Sequence, residues 1–78
     1  MMGTFKYIRF ESSGFILFTG VVMHSTIKAQ IKDYVISAGF VSFNKDGKPN
    51  CYGHSQSLNL TALPEDSDCL AKWMERTQ

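Results

Sequence analysis

The sequence predicts an α+β domain in the order ββαββα, with a mostly antiparallel four-stranded sheet and both helices packed on one face. Two observations support this prediction: short aromatic and β-branched runs bounded by turn residues, and two stretches in which apolar residues recur at helical spacing. The chain has 78 residues, of which 44% are hydrophobic and 19% charged. We therefore expect a single small α+β domain over residues 1–78.

The first two strands form a predicted hairpin. Residues 4–10 are rich in aromatic and β-branched side chains, and residues 11–14 (Glu-Ser-Ser-Gly) have the composition of a turn. A second apolar run extends from Phe15 to about Val21. Two such runs separated by a short turn segment predict antiparallel pairing.

The apolar spacing changes after this hairpin. Met23, Ile27, Ile31 and Tyr34 follow one another at intervals of three or four residues. This spacing is typical of one face of an amphipathic helix, and it predicts a helix over residues 24–34.

The second half of the chain repeats the pattern of two strands and a helix. Residues 39–43 are predicted to form the third strand, and residues 44–49 contain Asp-Gly and Pro, which favour a turn. The fourth strand is predicted from Cys51 to Leu60. The second helix is predicted to begin near Pro64, because proline and the acidic residues that follow it suit the first turn of a helix.

Apolar side chains occupy both faces of the predicted strands. In the second strand Phe15 and Leu17 point to one side, whereas Ile16 and Phe18 point to the other. A sheet with one solvated face would instead alternate apolar and polar residues. If both helices cover the same face, the second face or an edge strand is left for another copy of the chain, so we expect a homodimer.

Charge and cysteine content indicate the compartment and exclude some partners. Eight basic and seven acidic residues leave a net charge of +1, which favours neither nucleic acid nor an anionic membrane. The apolar run at residues 15–23 is far short of the ~20 residues that cross a bilayer. With two cysteines, Cys51 and Cys69, one disulfide stays possible, but two free thiols in a cytoplasmic protein are the simpler interpretation.

The densest polar segment, residues 51–57 (Cys-Tyr-Gly-His-Ser-Gln-Ser), is the candidate binding site. Its small residues would lie on one face of a strand, where either a helix packs closely or a shallow polar cleft forms. For the cleft, the candidate residues that contact an unknown protein or small-molecule partner are Tyr52, His54, Ser55 and Ser57.

The alternative function is a small enzyme that uses His54 with Ser55 or Cys51. Cys51 and His54 are three residues apart and would face opposite sides of a strand, and the segment lacks the second glycine of a Gly-x-Ser-x-Gly elbow. We therefore assign no catalytic residue. Neither a metal site nor a cofactor is expected, because no Cys-x₂-Cys unit or phosphate-binding glycine loop occurs. His24 is expected to be a neutral capping or surface histidine.

Three segments carry a resemblance to other proteins. They are residues 37–40 (Ser-Ala-Gly-Phe), residues 51–58 (Cys-Tyr-Gly-His-Ser-Gln-Ser-Leu), and residues 64–67 (Pro-Glu-Asp-Ser) with Leu70. In this order they resemble a group of small uncharacterised bacterial proteins of the kind carried on integron gene cassettes and other mobile elements. The resemblance implies a bacterial, cytoplasmic accessory protein and supplies no catalytic residue. Together with the strand pattern, it leads us to expect a non-enzymatic, homodimeric binding module.

Overall fold

A four-stranded antiparallel sheet forms the centre of the computed structural model, which describes residues 4–76. Its strands, in the spatial order β2-β1-β3-β4, are β1 (Phe5–Phe10), β2 (Gly14–Thr19), β3 (Val35–Phe43) and β4 (Pro49–Tyr52). The other elements are α1 (His24–Lys28), a small antiparallel pair of β5 (His54–Ser55) and β6 (Leu60–Thr61), and α2 (Asp66–Arg76). The predicted α+β class is confirmed, as is the four-stranded antiparallel sheet.

The predicted N-terminal hairpin is present and is anchored at its turn. β1 pairs with β2 from Phe5 opposite Thr19 to Phe10 opposite Gly14. The turn is held from outside the hairpin, because the carboxylate of Asp33 accepts hydrogen bonds from the backbone N–H and the hydroxyl of Ser13, both at 2.7 Å. β2 ends at Thr19, two residues before the predicted end.

The predicted helix over residues 24–34 is too long. α1 ends at Lys28, and β3 begins at Val35 rather than at residue 39. β3 pairs with β1 along its length up to Val35 opposite Phe10, with an irregularity between Arg9 and Phe10. A short helix gains little stability from its own hydrogen bonds. Residues 35–38 therefore do not continue the helix but belong to β3, which pairs with the buried strand β1.

The predicted fourth strand over residues 51–60 is interrupted. Gly53 has a φ of 77°, in the left-handed region that glycine tolerates best, and it separates β4 from β5. The chain then turns at residues 56–59 and returns as β6, with Ser55 opposite Leu60. The observed order is therefore ββαββββα rather than ββαββα.

The two helices lie on opposite faces of the sheet, so the prediction that they share one face is wrong. Tyr7 and Ile8 are adjacent in β1 and point to opposite sides. The core on the α2 side consists of Tyr7, Phe15, Val41 and Leu70. The core on the α1 side consists of Ile8, Phe10 and Ala38, covered in part by Ile27, Ile31, Leu58 and Leu60. One helix thus lies on each face of the sheet, and Leu60 of β6 adds to the α1 side. Phe5, Ile36 and Tyr52, on strands of the sheet, stay at least 36% exposed.

No helix within residues 4–76 is long and apolar enough to cross a membrane. The longer of the two helices there, α2, has eleven residues.

Candidate functional site

A cleft of about 300 Å³ lies between the start of α1, the middle of the sheet and the β5 turn. It is lined by Lys6, Met23, His24, Phe40, His54, Ser55, Gln56 and Ser57. Three of the four predicted contact residues, His54, Ser55 and Ser57, therefore line one cleft. The fourth, Tyr52, lies outside the lining and stacks on Phe40, with ring centroids 6.0 Å apart.

Hydrogen bonds of Ser55 and Ser57 stabilise the turn that lines one side of the cleft. Ser55 is buried, and its hydroxyl accepts a hydrogen bond from the backbone N–H of Leu58 at 3.3 Å. The hydroxyl of Ser57 accepts one from the backbone N–H of Ser25 at 3.2 Å, which ties the turn to α1. The two hydroxyls are 3.5 Å apart. Ser57 is exposed, and this leaves its hydroxyl available to a ligand.

His24 forms the floor of the cleft, a role that the sequence did not indicate. It is only 3% exposed, and its ring meets Phe18 and Phe40 edge to face at 5.3 and 6.0 Å. Its Nε2 lies 2.9 Å from the carbonyl oxygen of Gly39. The expectation of a surface or capping histidine is wrong, because α1 begins without a side-chain cap and the ring turns inward onto β3.

The environment of His24 favours its neutral form. Burial lowers the pKa of His24, the nearby ammonium of Lys6 lowers it further, and the hydrogen bond with Gly39 offsets this only in part. A carbonyl oxygen only accepts hydrogen bonds, so Nε2 must carry the ring proton. In the neutral ring, Nδ1 is then an acceptor, and no group within residues 4–76 hydrogen-bonds to it.

Lys6 gives the cleft its positive charge. Its Nζ donates a hydrogen bond to the carbonyl oxygen of Val22 at 2.9 Å, and its side chain is half-buried. The cleft lining contains no aspartate or glutamate. Within residues 4–76 the ion pairs are those of Arg9, so this ammonium has no carboxylate partner there.

A second polar cluster lies beneath α2, on the other side of the sheet. Asp66 is fully buried and accepts hydrogen bonds from the hydroxyl of Tyr7, from Arg9 at 3.0 Å and from the backbone N–H of Leu63 at 3.0 Å. Burial alone would raise the pKa of Asp66, but these hydrogen bonds outweigh burial and hold it below its usual range. The buried hydroxyl of Ser37 is also near this carboxylate, but outside hydrogen-bonding geometry.

The residues of the alternative, enzymatic function do not form a catalytic arrangement. The side chain of Cys51 packs with the core beneath α2, whereas His54 lines the cleft on the opposite face. Burial, and then the charge of Asp66, raise the pKa of the Cys51 thiol to about 11. Within residues 4–76, no hydrogen bond joins His54 to Ser55 or Cys51, and no group of three metal-ligating side chains occurs.

A smaller cleft of about 250 Å³ lies between α2 and the N-terminal hairpin. Its lining includes Arg9, Lys72 and Arg76, but also the carboxylate of Glu11. Arg9 is already bound to Asp66. The first cleft is the one lined by residues 54–57, which belong to the polar segment that the sequence singles out.

Comparison with protein-family models, with curated proteins and with solved structures finds no match to this chain. The function must therefore be inferred from the geometry of the two faces and the cleft.

Proposed function

We propose that this chain is a non-enzymatic binding module that holds its ligand in the cleft between α1 and β5. The observation that carries this proposal is the convergence of His54, Ser55 and Ser57 with His24 and Lys6 around one cavity of about 300 Å³. Small-molecule sites are concave, are lined largely by apolar surface and present a few fixed polar groups. This cleft has that character and lies at the lower end of the usual size range.

The size of the cleft favours a small molecule over a protein as the ligand. A protein partner needs a broad contact area on the surface, whereas a concave cavity of about 300 Å³ encloses only a small ligand. Tyr52 contributes indirectly, since its ring stacks on Phe40 and holds that side chain beneath the cleft.

Amide-detected NMR with a diverse fragment set tests the proposal. We expect binding fragments to shift the backbone signals of residues 54–57 and of α1 together. Tyr52→Ala and Ser57→Ala should weaken these shifts while the fold is retained. Lys72→Ala, an exposed change on α2 outside this cleft, is the matched control and should leave the shifts unchanged. If no fragment shifts the cleft signals at millimolar concentration, the cleft is not a binding site.

The enzymatic alternative has less support. His54 has no hydrogen-bonded nucleophile within residues 4–76, and the raised pKa of Cys51 disfavours its thiolate. No observation in the cleft favours hydrolysis or group transfer over binding.

We further propose that the module is a homodimer joined through the free edge of β2. β2 pairs only with β1 in the sheet. Its sequence from Gly14 to Thr19 contains neither proline nor a charged residue, the usual protections of an exposed edge. Because a helix lies on each face of the sheet, this edge takes the place of the open face as the surface for a second copy, which would pair with it antiparallel about a two-fold axis.

Solution mass by size exclusion with light scattering, at low and high protein concentration, tests the dimer. A stable dimer that Thr19→Lys converts to a monomer supports pairing at this edge. Thr61→Lys, on the short strand β6, is the control and should leave the mass unchanged. A monomer at all concentrations contradicts the homodimer.

The resemblance to integron-cassette proteins supports a bacterial accessory role in the cytoplasm. Both cysteines, Cys51 and Cys69, are unpaired, as is usual in a reducing compartment. Localisation of a tagged full-length chain in a bacterial host tests this part of the proposal.

A further inference from the structure

We propose that the cleft selects a small organic anion that also carries an O–H or N–H donor. Lys6 binds the anionic group, and Nδ1 of His24 accepts the hydrogen bond from the donor. This inference rests on the proposed binding function of the cleft and adds the chemical class of the ligand.

The charge of the ligand follows from Lys6. Its ammonium is half-buried, uses one of its three protons on the carbonyl of Val22, and has no carboxylate partner within residues 4–76. A partly desolvated cation gains more from an anion than an exposed one does, because water screens the pair less. A cleft without acidic lining residues favours an anion and repels a cation.

The donor on the ligand follows from His24. The ring is held by its Nε2 hydrogen bond to Gly39 and by edge contacts with Phe18 and Phe40, so its orientation is fixed before the ligand arrives. Nδ1 has no hydrogen-bond partner within residues 4–76, so it is the acceptor of this ring that is left for a ligand. Since His24 lines the cleft, we assign this nitrogen as the acceptor that meets the ligand there.

The remaining lining indicates the shape of the ligand. Phe40 and Met23 provide apolar surface, and the hydroxyl of Ser57 lies at the exposed side. A body of about one aromatic ring, carrying a carboxylate and a neighbouring hydroxyl, fits a cavity of about 300 Å³.

Three matched probes separate the two parts of the inference. Mandelate has an aromatic ring, a carboxylate and a hydroxyl; phenylacetate lacks the hydroxyl; benzyl alcohol lacks the carboxylate. In amide-detected NMR titrations of the full chain near pH 7.5, we expect mandelate to bind about tenfold more tightly than phenylacetate, since a site with a buried acceptor disfavours a ligand that cannot donate to it. Benzyl alcohol should bind more weakly than mandelate by a similar factor, because it cannot pair with the ammonium.

Two variants test whether Lys6 and His24 cause these differences in affinity. Lys6→Met keeps an unbranched side chain and should reduce the affinity for mandelate to that for benzyl alcohol, and the affinity for phenylacetate to below it. Lys28→Met, which removes an exposed lysine of α1 outside the cleft lining, is the control and should change neither affinity. His24→Gln keeps a donor for Gly39 and should abolish the preference for mandelate over phenylacetate.

A direct measurement on the unaltered protein covers the case in which His24→Gln does not fold. The ¹⁵N resonance of Nδ1 in His24 should move upfield when mandelate binds and stay in place with phenylacetate. Equal affinities for the two carboxylates, with no movement of Nδ1, overturn the role of His24.

Different results would contradict the proposed class of ligand and the proposed binding function. If benzylamine or neutral fragments shift the cleft signals and the carboxylates do not, the cleft is a binding site but not one for anions. If neither these probes nor a diverse fragment set shifts them, both the ligand class and the binding function are wrong.

Discussion

The hydroxyl of Tyr7 donates a buried hydrogen bond to the carboxylate of Asp66, 59 residues further along the chain. Tyr7 lies in the central strand β1, and Asp66 is the first residue of α2. Arg9 binds the second oxygen of the same carboxylate at 3.0 Å. These contacts fix the start of α2 on the sheet, so this cluster has a structural role on the face opposite the cleft.

Removing the charge of Asp66 should destabilise the fold. Asp66→Asn leaves Arg9 without its buried partner and weakens the acceptor for Tyr7, and breaking one side of a buried pair costs about 3 kcal/mol. The free energy of unfolding in urea measures this. Asp68→Asn, an exposed change in the same helical turn, should cost less than about 1 kcal/mol. Equal losses in the two variants would show that the buried contacts contribute nothing beyond the helix start.

The same carboxylate should make the fold sensitive to acid. Because the pKa of Asp66 in the folded state is below its ordinary value of 3.8, its charge stabilises the fold above that pH. This contribution is lost as the pH falls through the lowered pKa. Urea unfolding between pH 5 and pH 2 should therefore show a steeper loss in the unaltered chain than in Asp66→Asn.

The stability of the fold should also depend on pH through His24, in a range above that of Asp66. Burial lowers its pKa below the ordinary value of 6.5, so the unfolded chain takes up a proton first as the pH falls. Stability should be constant above about pH 7 and should decrease as the pH falls from 6.5 toward the lowered pKa. His24→Gln should remove this decrease, and His54→Gln, a change at an exposed position, should keep it. A flat profile in the unaltered chain contradicts the buried neutral ring.

Gly14 should tolerate no side chain. Its φ is 80°, and an added Cβ would overlap the indole of Trp73. Gly47 has a φ of 82° with open space around it, so Gly47→Ala measures the backbone strain alone, about 1 kcal/mol. Gly14→Ala should cost at least about 1 kcal/mol more in urea unfolding, because the indole must move. In a Trp73→Leu background this extra cost should decrease.

The Cys51 thiol should react slowly in the folded protein. Its pKa is raised from 9.0 to about 11, mainly by burial, so the thiolate is about 100-fold scarcer than in the unfolded chain at pH 8. In a Cys69→Ser background, alkylation of Cys51 by iodoacetamide should be about tenfold slower in the folded chain than in urea, because a thiolate of higher pKa is also more nucleophilic. Comparable rates in the two states would mean that the thiol is not buried.

Apolar spacing in the sequence predicted some of the buried side chains, but not the elements that carry them. Ile27 and Ile31 both pack against the core, although the helix ends at Lys28. Met23 and Tyr34, which belong to the same pattern, are 56% and 79% exposed. Apolar spacing therefore predicted only part of the buried set. It does not report that β3 begins at Val35, because that boundary depends on pairing with Phe10 of β1.

The sequence predicted only part of the candidate site, because only part of it is a continuous segment. His54, Ser55 and Ser57 are close in sequence, and their polar composition marked them as one segment. Lys6 and His24, which complete the cleft, belong to other elements and carry no local motif. Their position depends on contacts with Val22 and Gly39, 16 and 15 residues away, that form only when the sheet is assembled.

The sequence by itself determined the α+β class, the N-terminal hairpin, the start of α2 near Pro64, and the apolar character of both sheet faces. Tertiary structure alone decided which helix covers which face. Alternation along a strand separates Tyr7 from Ile8, but it does not say which helix returns to either side. That choice depends on pairing β3 with β1 and on burying Asp66 against Tyr7, both of which join distant parts of the chain.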